Sequence, residues 1–235
     1  MNPHRPLLDS IVKSMVRAST TSQADVADGD PTFLTAATIR QPADGLGARA
    51  QRTIERIIES AREVFMTRGY SGTTIDEIAR VAGVSRASVY TYFPSKRDVL
   101  LAVGAHAASS ALEIVSTLAD REASVGAMTE FVTTYFRFLD VHGSFSFAWT
   151  QAAQDDEEIR VVGMKRHLGI CKAFGNQLAD LCDRPADDPA VLGLVAASLL
   201  ERTWSYVHLY AAHVDRAAVI GEAARSLLAI ADAVD

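Results

Sequence analysis

Cysteine is scarce in this chain. The 235 residues hold only Cys171 and Cys182, too few for a disulfide framework or a four-ligand zinc site. On one helix the two would share a face yet stand about 16 Å apart along its axis, so they do not bridge within it. Seven prolines and fourteen glycines beside 49% hydrophobic residues exclude a collagen-like or wholly disordered chain. That composition supplies one sizeable core or two small ones. Long apolar runs are missing as well. The longest candidate, Pro189 to Leu200, is bracketed by Asp188 and Glu201 and falls short of the roughly 18–20 residues of a spanning helix, so it reads as a buried helix. Met1 to Arg17 has no long apolar stretch ahead of a small-residue cleavage site, and nothing there resembles a secretory signal. The expectation is a soluble, cytoplasmic protein without a membrane partner. No segment alternates with period two between turn residues, so no sheet is expected, and no internal repeat stands out.

Charge of one sign is concentrated. The net charge is −6, but residues 49–97 carry nine Lys/Arg against five Asp/Glu, whereas residues 98–235 carry ten against nineteen. A basic segment inside an acidic protein says more about a polyanionic partner than the total does.

Three regions follow. Residues 18–48 are rich in Ser, Thr, Ala, Asp, Gly and Pro, contain the turn signals Asp28-Gly29-Asp30-Pro31 and Asp44-Gly45, and read as a flexible linker. Before them Leu7, Leu8, Ile11, Val12, Met15 and Val16 repeat at helical spacing, which fits one short amphipathic helix or a frayed tail. From Arg49 onward nearly everything reads as helix. Ile54, Ile57, Ile58, Ala61 and Phe65 form the stripe of a first helix that stops at Gly69. Beyond residue 97 the pattern predicts helices over 95–118, 124–141, 144–154, 156–182, 188–212 and 215–233. The fold class is therefore all-α, with about nine helices. Its parts are an N-terminal extension over 1–48, a three-helix domain over 49–97 and a helical domain over 98–235.

The middle region carries the most specific pattern. Thr74-Ile75-Asp76-Glu77 is a capping-box sequence that starts a helix by satisfying orphan backbone donors. Ile75, Ile78, Ala79 and Ala82 make its inner face, and Gly83-Val84-Ser85 links it to a second, short helix, Ser85 to Phe93, anchored by Val89 and Phe93. Two short helices joined by a Gly-containing turn form the helix-turn-helix pattern. At 100° per residue Ala87, Ser88, Tyr90 and Thr91 fall away from the anchors, and Arg86 reaches outward from the flank. Small side chains let such a helix sit deep in a major groove, while Arg86, Ser88, Tyr90 and Thr91 supply donors, acceptors and apolar contact for base edges. Lys96 stands at the next helix start, beside exposed N–H groups that suit a phosphate, and Thr74 holds the same kind of place on the preceding helix. A plain helical hairpin with its aromatics in the core fits the same pattern.

The run Ile57-Ile58-Glu59-Ser60-Ala61-Arg62-Glu63-Val64-Phe65, then Gly69-Tyr70 and Thr73-Thr74-Ile75-Asp76-Glu77-Ile78-Ala79, resembles the N-terminal domain of the TetR family of one-component bacterial regulators. The continuation Ala82-Gly83-Val84-Ser85-Arg86-Ala87-Ser88-Val89-Tyr90-Thr91-Tyr92-Phe93-Pro94-Ser95-Lys96 extends the likeness over about 50 residues without a gap. The resemblance implies that Arg86, Ala87, Ser88 and Tyr90 face bases or the groove wall and that Thr74, Tyr92 and Lys96 hold phosphates. It also implies a C-terminal helical domain that binds a small effector and dimerises through its last two helices. Residues 1–48 depart from the compact family pattern.

In the acidic half, aromatic residues are dense between 124 and 212. Most belong to a core, yet together they suit an apolar pocket for a lipophilic or aromatic effector, with Gln151, His167, Asn176 or Glu201 as orienting groups. The candidate contacts are Phe131, Tyr135, Trp149, His167, Phe174 and Trp204. The histidines are scattered without metal-ligand spacing, no Gly-rich phosphate loop occurs, and no metal, cofactor or catalytic residue is expected. Asp155-Asp156-Glu157-Glu158 reads as a solvated helix start that complements the macrodipole. Small-residue stripes at Leu194, Ala197, Ser198, Glu201 and Arg202, and at Val219, Ala223, Ser226, Leu227 and Ile230, suit a four-helix homodimer interface or internal core. The reading is a homodimeric transcriptional regulator, a repressor on an inverted-repeat double-stranded operator released by a lipophilic small molecule. Its alternatives are an activator or ligand-independent regulator, a helical ligand-binding protein with a vestigial DNA-binding head, and an architectural DNA-coating protein.

Overall fold

The computed structural model describes residues 47–183 and 185–232. The short helix expected near the N-terminus, and the linker as far as residue 46, lie outside those residues. Nine α-helices and no strand occur among the described residues: α1 (Ala48–Gly72), α2 (Ile75–Ala82), α3 (Arg86–Tyr92), α4 (Lys96–Ser116), α5 (Val125–His142), α6 (Phe145–Asp155), α7 (Glu157–Leu181), α8 (Pro189–Leu209) and α9 (Arg216–Asp232). A 3-10 turn, Thr117–Asp120, ends α4. Local chemistry explains most of these limits. Ser124, Asp156 and Asp188 cap α5, α7 and α8 by accepting backbone N–H bonds, and Pro189 opens α8 where its missing donor costs nothing.

The hydrophobic core has two parts, and they do not divide at residue 97. One cluster takes Ile54, Ile57 and Phe65 from α1, Ile78 from α2, Val89 and Phe93 from α3, Val99 to Val103 from α4, Phe145, Ala148 and Ala152 from α6, and Ile159 from α7. The other takes Val115 and Leu118, the inner face of α5, Cys171, Phe174 and Leu178 from α7, and the inner faces of α8 and α9. Helix α4 serves both, so it is apolar on several sides. For that reason Lys96–Asp120 is long and apolar enough to match a membrane span by length and composition, which the reading of apolar runs did not pick out. Val99, Leu100, Leu101, Val103, Ala108, Ala111 and Val115 of this stretch are buried in the protein.

The acidic start of α7 also differs from the expectation of a solvated run. Asp156 and Glu158 pair with Arg97 of α4, with Arg97 Nε 2.8 Å from Asp156 Oδ2. The contact ties the start of α4 to the start of α7.

Helices α7 and α8 cross with their backbones in contact. A Cβ added at Gly193 would fall on the carbonyl of Cys171, and one at Gly175 on the carbonyl of Pro189. Backbone does not yield as a flexible side chain does, so overpacking here costs about 1–3 kcal/mol or more. Gly193→Ala is therefore expected to lower the thermal midpoint by roughly 2–12 °C, read by circular dichroism, while Gly47→Ala, which meets open space, leaves it unchanged.

Candidate nucleic-acid interface

The α2–α3 unit is assembled by its caps. Thr74 Oγ1 accepts the Glu77 N–H at 3.2 Å. The reciprocal half of the capping box is replaced, because the Glu77 carboxylate turns to Arg68 and Arg80 at 3.1 and 2.8 Å. Gly83 adopts the left-handed conformation (φ 63°, ψ 37°) that closes α2, and Ser85 Oγ accepts the Ser88 N–H at 3.0 Å to open α3. Val89 and Phe93 have no exposed surface. They pin α3 to the core, so Arg86, Ala87, Tyr90 and Thr91 stand exposed, with Ser88 and Tyr92 half-buried. On α3 the exposed residues thus fall away from the two anchors, as the 100° spacing predicts.

The polar atoms of Arg86, Tyr90 and Thr91 are already engaged. Arg86 Nη1 bonds both carboxylate oxygens of Asp76, at 2.9 and 3.2 Å, and its Nη2 meets the Tyr90 hydroxyl at 3.4 Å. The guanidinium also lies 5.5 Å from the Tyr90 ring centroid. The Arg86–Asp76 pair joins α3 to α2, a pairing across the two helices that sequence spacing did not reveal. Thr91 Oγ1 donates to the Ala87 carbonyl at 3.0 Å.

Lys96 is placed differently from a simple phosphate hook. Its Nζ donates to the carbonyls of Tyr70 and Thr73 at 2.8 and 2.9 Å and sits 4.3 Å from the Tyr70 ring centroid. The cause lies in Gly69, where φ 67° and ψ 175° break α1. The break turns the chain at the end of α1: Thr73 Oγ1 donates to the Gly69 carbonyl at 2.7 Å, the Thr73 N–H to that of Tyr70 at 3.3 Å, and Lys96 adds a charged donor to the carbonyls of Tyr70 and Thr73. Burial lowers the Lys96 pKa from its ordinary value. One of three ammonium donors remains for a phosphate. Gln151 of α6 completes the corner, its Oε1 accepting the Ser71 N–H at 3.2 Å.

The six candidate effector contacts are not all brought together. Phe131, Tyr135 and Phe174 meet, with ring centroids 5.6–6.1 Å apart, but they pack on one another inside the core. Trp204 borders that cluster and donates its Nε1–H to Asp140 at 2.8 Å, a carboxylate that Arg216 also holds. Those hydrogen bonds, with Arg216, keep the Asp140 carboxyl below its ordinary pKa although burial pushes the other way. Trp149 lies against the other cluster, and His167 is exposed on α7. A surface cleft of about 390 Å³ opens elsewhere, lined by Phe65, Met66, Gly69, Ser144, Phe147, Ala148 and Gln151.

Comparison with known proteins addresses the same segment. A family profile described as bacterial regulatory proteins, tetR family, matches residues 57–103. The HTH-type transcriptional regulator SrpR of Pseudomonas putida is 52% identical over 56 residues, 24% of this chain and 26% of that one. The biofilm operon icaADBC HTH-type negative transcriptional regulator IcaR of Staphylococcus aureus is 40% identical over 45 residues, 19% of this chain and 24% of that one. The match thus spans about a quarter of the length of these curated relatives, and they are regulators of transcription, not enzymes. Over 81% of the chain the fold is shared with the crystal structure of a tetR-family transcriptional regulator from Streptomyces coelicolor, at TM-score 0.61 and 22% identity, covering 85% of that chain.

Lys96→Met keeps the aliphatic stem and removes both charge-assisted bonds. It is expected to destabilise the protein by about 1.5–3 kcal/mol, measured by urea unfolding, and to weaken binding to all DNA sequences with a flatter salt dependence. Unchanged stability with weaker DNA binding would assign Lys96 to phosphate alone.

Proposed function

We propose, on the premise that residues 57–103 belong to the tetR family of bacterial regulatory proteins, that this chain is a cytoplasmic one-component transcriptional regulator. In this reading it represses as a homodimer on an inverted-repeat DNA operator and is released by a small apolar or aromatic effector. The observation that carries the reading is the outer face of α3, where Arg86, Ala87, Ser88, Tyr90 and Thr91 stand outward from two fully buried anchors. Thr74, Tyr92 and Lys96 flank that face and set its register on phosphates. The Arg86–Asp76 pair does not oppose this role. Both side chains are more than half exposed, at 58% and 64%, and such a surface pair contributes about 0–1 kcal/mol. A bidentate arginine contact to guanine discriminates by about 1–3 kcal/mol, so exchanging one partner for the other favours DNA.

One short helix reads too few base pairs for useful specificity. Two helices about 34–36 Å apart read one face of the duplex. The surface of α8 supports a second copy: Val191, Leu194, Val195, Tyr206 and Leu209 are exposed along it, and Tyr210 just past its end, Val191 at 55% and Leu209 at 69%. Such a row of large apolar groups belongs under a partner. On α9 the outer residues Ala217, Ala218 and Ala229 are small, which favours close approach. Of the stripe residues named from sequence, Leu194, Ser198, Glu201 and Arg202 face outward, Val219, Ser226 and Ile230 are half-buried, and Ala197, Ala223 and Leu227 are core. Repression fits an operator-bound dimer that occupies promoter DNA, and the relative IcaR is named as a negative regulator.

Fluorescence anisotropy with DNA from upstream of the protein's own gene tests the reading. Salt-dependent binding that prefers this DNA over random sequence is expected, and Arg86→Ala is expected to cost about 1–3 kcal/mol on the preferred site and less on random DNA. Binding without sequence preference by the unaltered protein would overturn the proposal in favour of a vestigial head. Leu194→Glu is expected to yield monomers in sedimentation velocity and to weaken operator binding together. A strictly monomeric unaltered protein at working concentration would sink the dimer.

A further inference from the structure

Trp149 reaches from α6 into the seam between α4 and α7, and two glycines make its room. A Cβ at Gly104 of α4 would overlap the indole at Cζ3, and a Cβ at Gly163 of α7 would overlap it at Nε1. The ring is half-buried, with one edge against Phe145 at a centroid distance of 6.1 Å. Its N–H has no protein acceptor among the described residues. The indole nitrogen is not among the sealed polar atoms that lack a partner, so it reaches solvent, and the seam holds Trp149 by shape and not by protein hydrogen bonds.

The same seam carries an uncompensated cation. Leu101 and Gly104 lie three residues apart on α4, Gly163 and Arg166 three apart on α7, and each pair shares a helix face. Arg166 Nη1 donates to the Leu101 carbonyl at 3.0 Å, one helical turn, about 5 Å, from the glycine pair. Four of its five N–H donors remain, and no carboxylate pairs with it among the described residues. Burial pulls its pKa down, and its remaining N–H donors, none of them sealed without a partner, are open to an anion. A flat aromatic slot beside an unpaired guanidinium matches a flat ring bearing a carboxylate.

We propose that the α4–α7 seam at Gly104, Gly163 and Arg166 is a binding site for a planar aromatic carboxylate, and that Trp149 is the plug such a ligand displaces. The ring takes the place of the indole, the carboxylate pairs with Arg166, and parting α4 from α7 strains the Arg97 tether to Asp156 and Glu158 at the start of α4. Because only three residues separate the end of α3 from the start of α4, that displacement moves the reading head. The regulatory half of this inference rests on the effector reading above, but binding at the seam does not require DNA.

The test uses the full chain carrying Trp204→Phe, which leaves Trp149 as the single tryptophan, with 2-naphthoate as the probe and 2-naphthamide as its neutral counterpart. Naphthoate is expected to red-shift Trp149 emission saturably and to bind at least about tenfold tighter than naphthamide. Arg166→Gln, which removes the charge and the guanidinium fork, is expected to lose that preference while binding naphthamide as before. Trp149→Ala empties the slot and is expected to bind naphthoate more tightly by calorimetry. No saturable naphthoate binding up to about 1 mM by either method overturns the site. Equal affinity for both probes, or naphthoate affinity unaltered by Arg166→Gln, overturns the anion assignment, and binding without an emission change overturns the plug. Naphthoate bound at the seam with operator affinity unaltered upholds the site and removes the release mechanism; naphthoate binding by a protein that prefers no DNA sequence upholds the site and removes the regulator reading.

Discussion

A seven-residue helix does not persist in water by itself, since helices shorter than about 12–15 residues are marginal even with favourable sequences. α3 is such a helix, and the anchoring of Val89 and Phe93 in the core is what makes it a surface and not a transient turn. Everything that reads as function on the head follows from this burial. It fixes which way Arg86, Tyr90 and Thr91 point, sets the angle at which α4 leaves after Pro94, and joins the head to the cluster that continues through α4, α6 and the start of α7. Because that cluster is shared, the head is not an independent bead on a linker. The cluster's packed side chains join the head to α4 and α6 in one core, which has few alternative arrangements.

The basic charge of residues 49–97 has two uses. Arg86, Arg68 and Arg80 form exposed pairs with Asp76 and Glu77, weak enough to exchange for phosphate or base edges. Lys96 and Arg97 are spent within the protein, on the Tyr70 and Thr73 carbonyls at the end of α1 and on the acidic start of α7. The excess of cations therefore overstates the number free to meet DNA.

Much of the architecture was legible because helix limits are written locally. Gly83, Ser85, Ser95, Ser124, Asp156 and Asp188 each act through backbone groups one to three residues away, so their neighbours in sequence suffice. The facing of α3 was legible too, because 100° per residue and two large anchors leave little choice. The aromatic residues of the acidic half were not. Phe131, Tyr135 and Phe174 carry the same pattern whether they line a space or fill one another's, and only the approach of α5 to α7 selects the second. Arg166 gave no signal at all: a single arginine on a helix becomes conspicuous only once its neighbours prove to lack a carboxylate.

The amino-acid order alone determined that the chain is helical, where most helices begin and end, and which side of α3 is turned away from its anchors, since these follow from contacts within a few residues. Tertiary structure decided where Lys96 sends its charge, that the head and the adjoining helices share one core, and that Trp149 occupies a slot between two glycines of distant helices. Those outcomes depend on groups tens of residues apart meeting at a few ångströms. No local period or cap encodes which of many possible partners will arrive there.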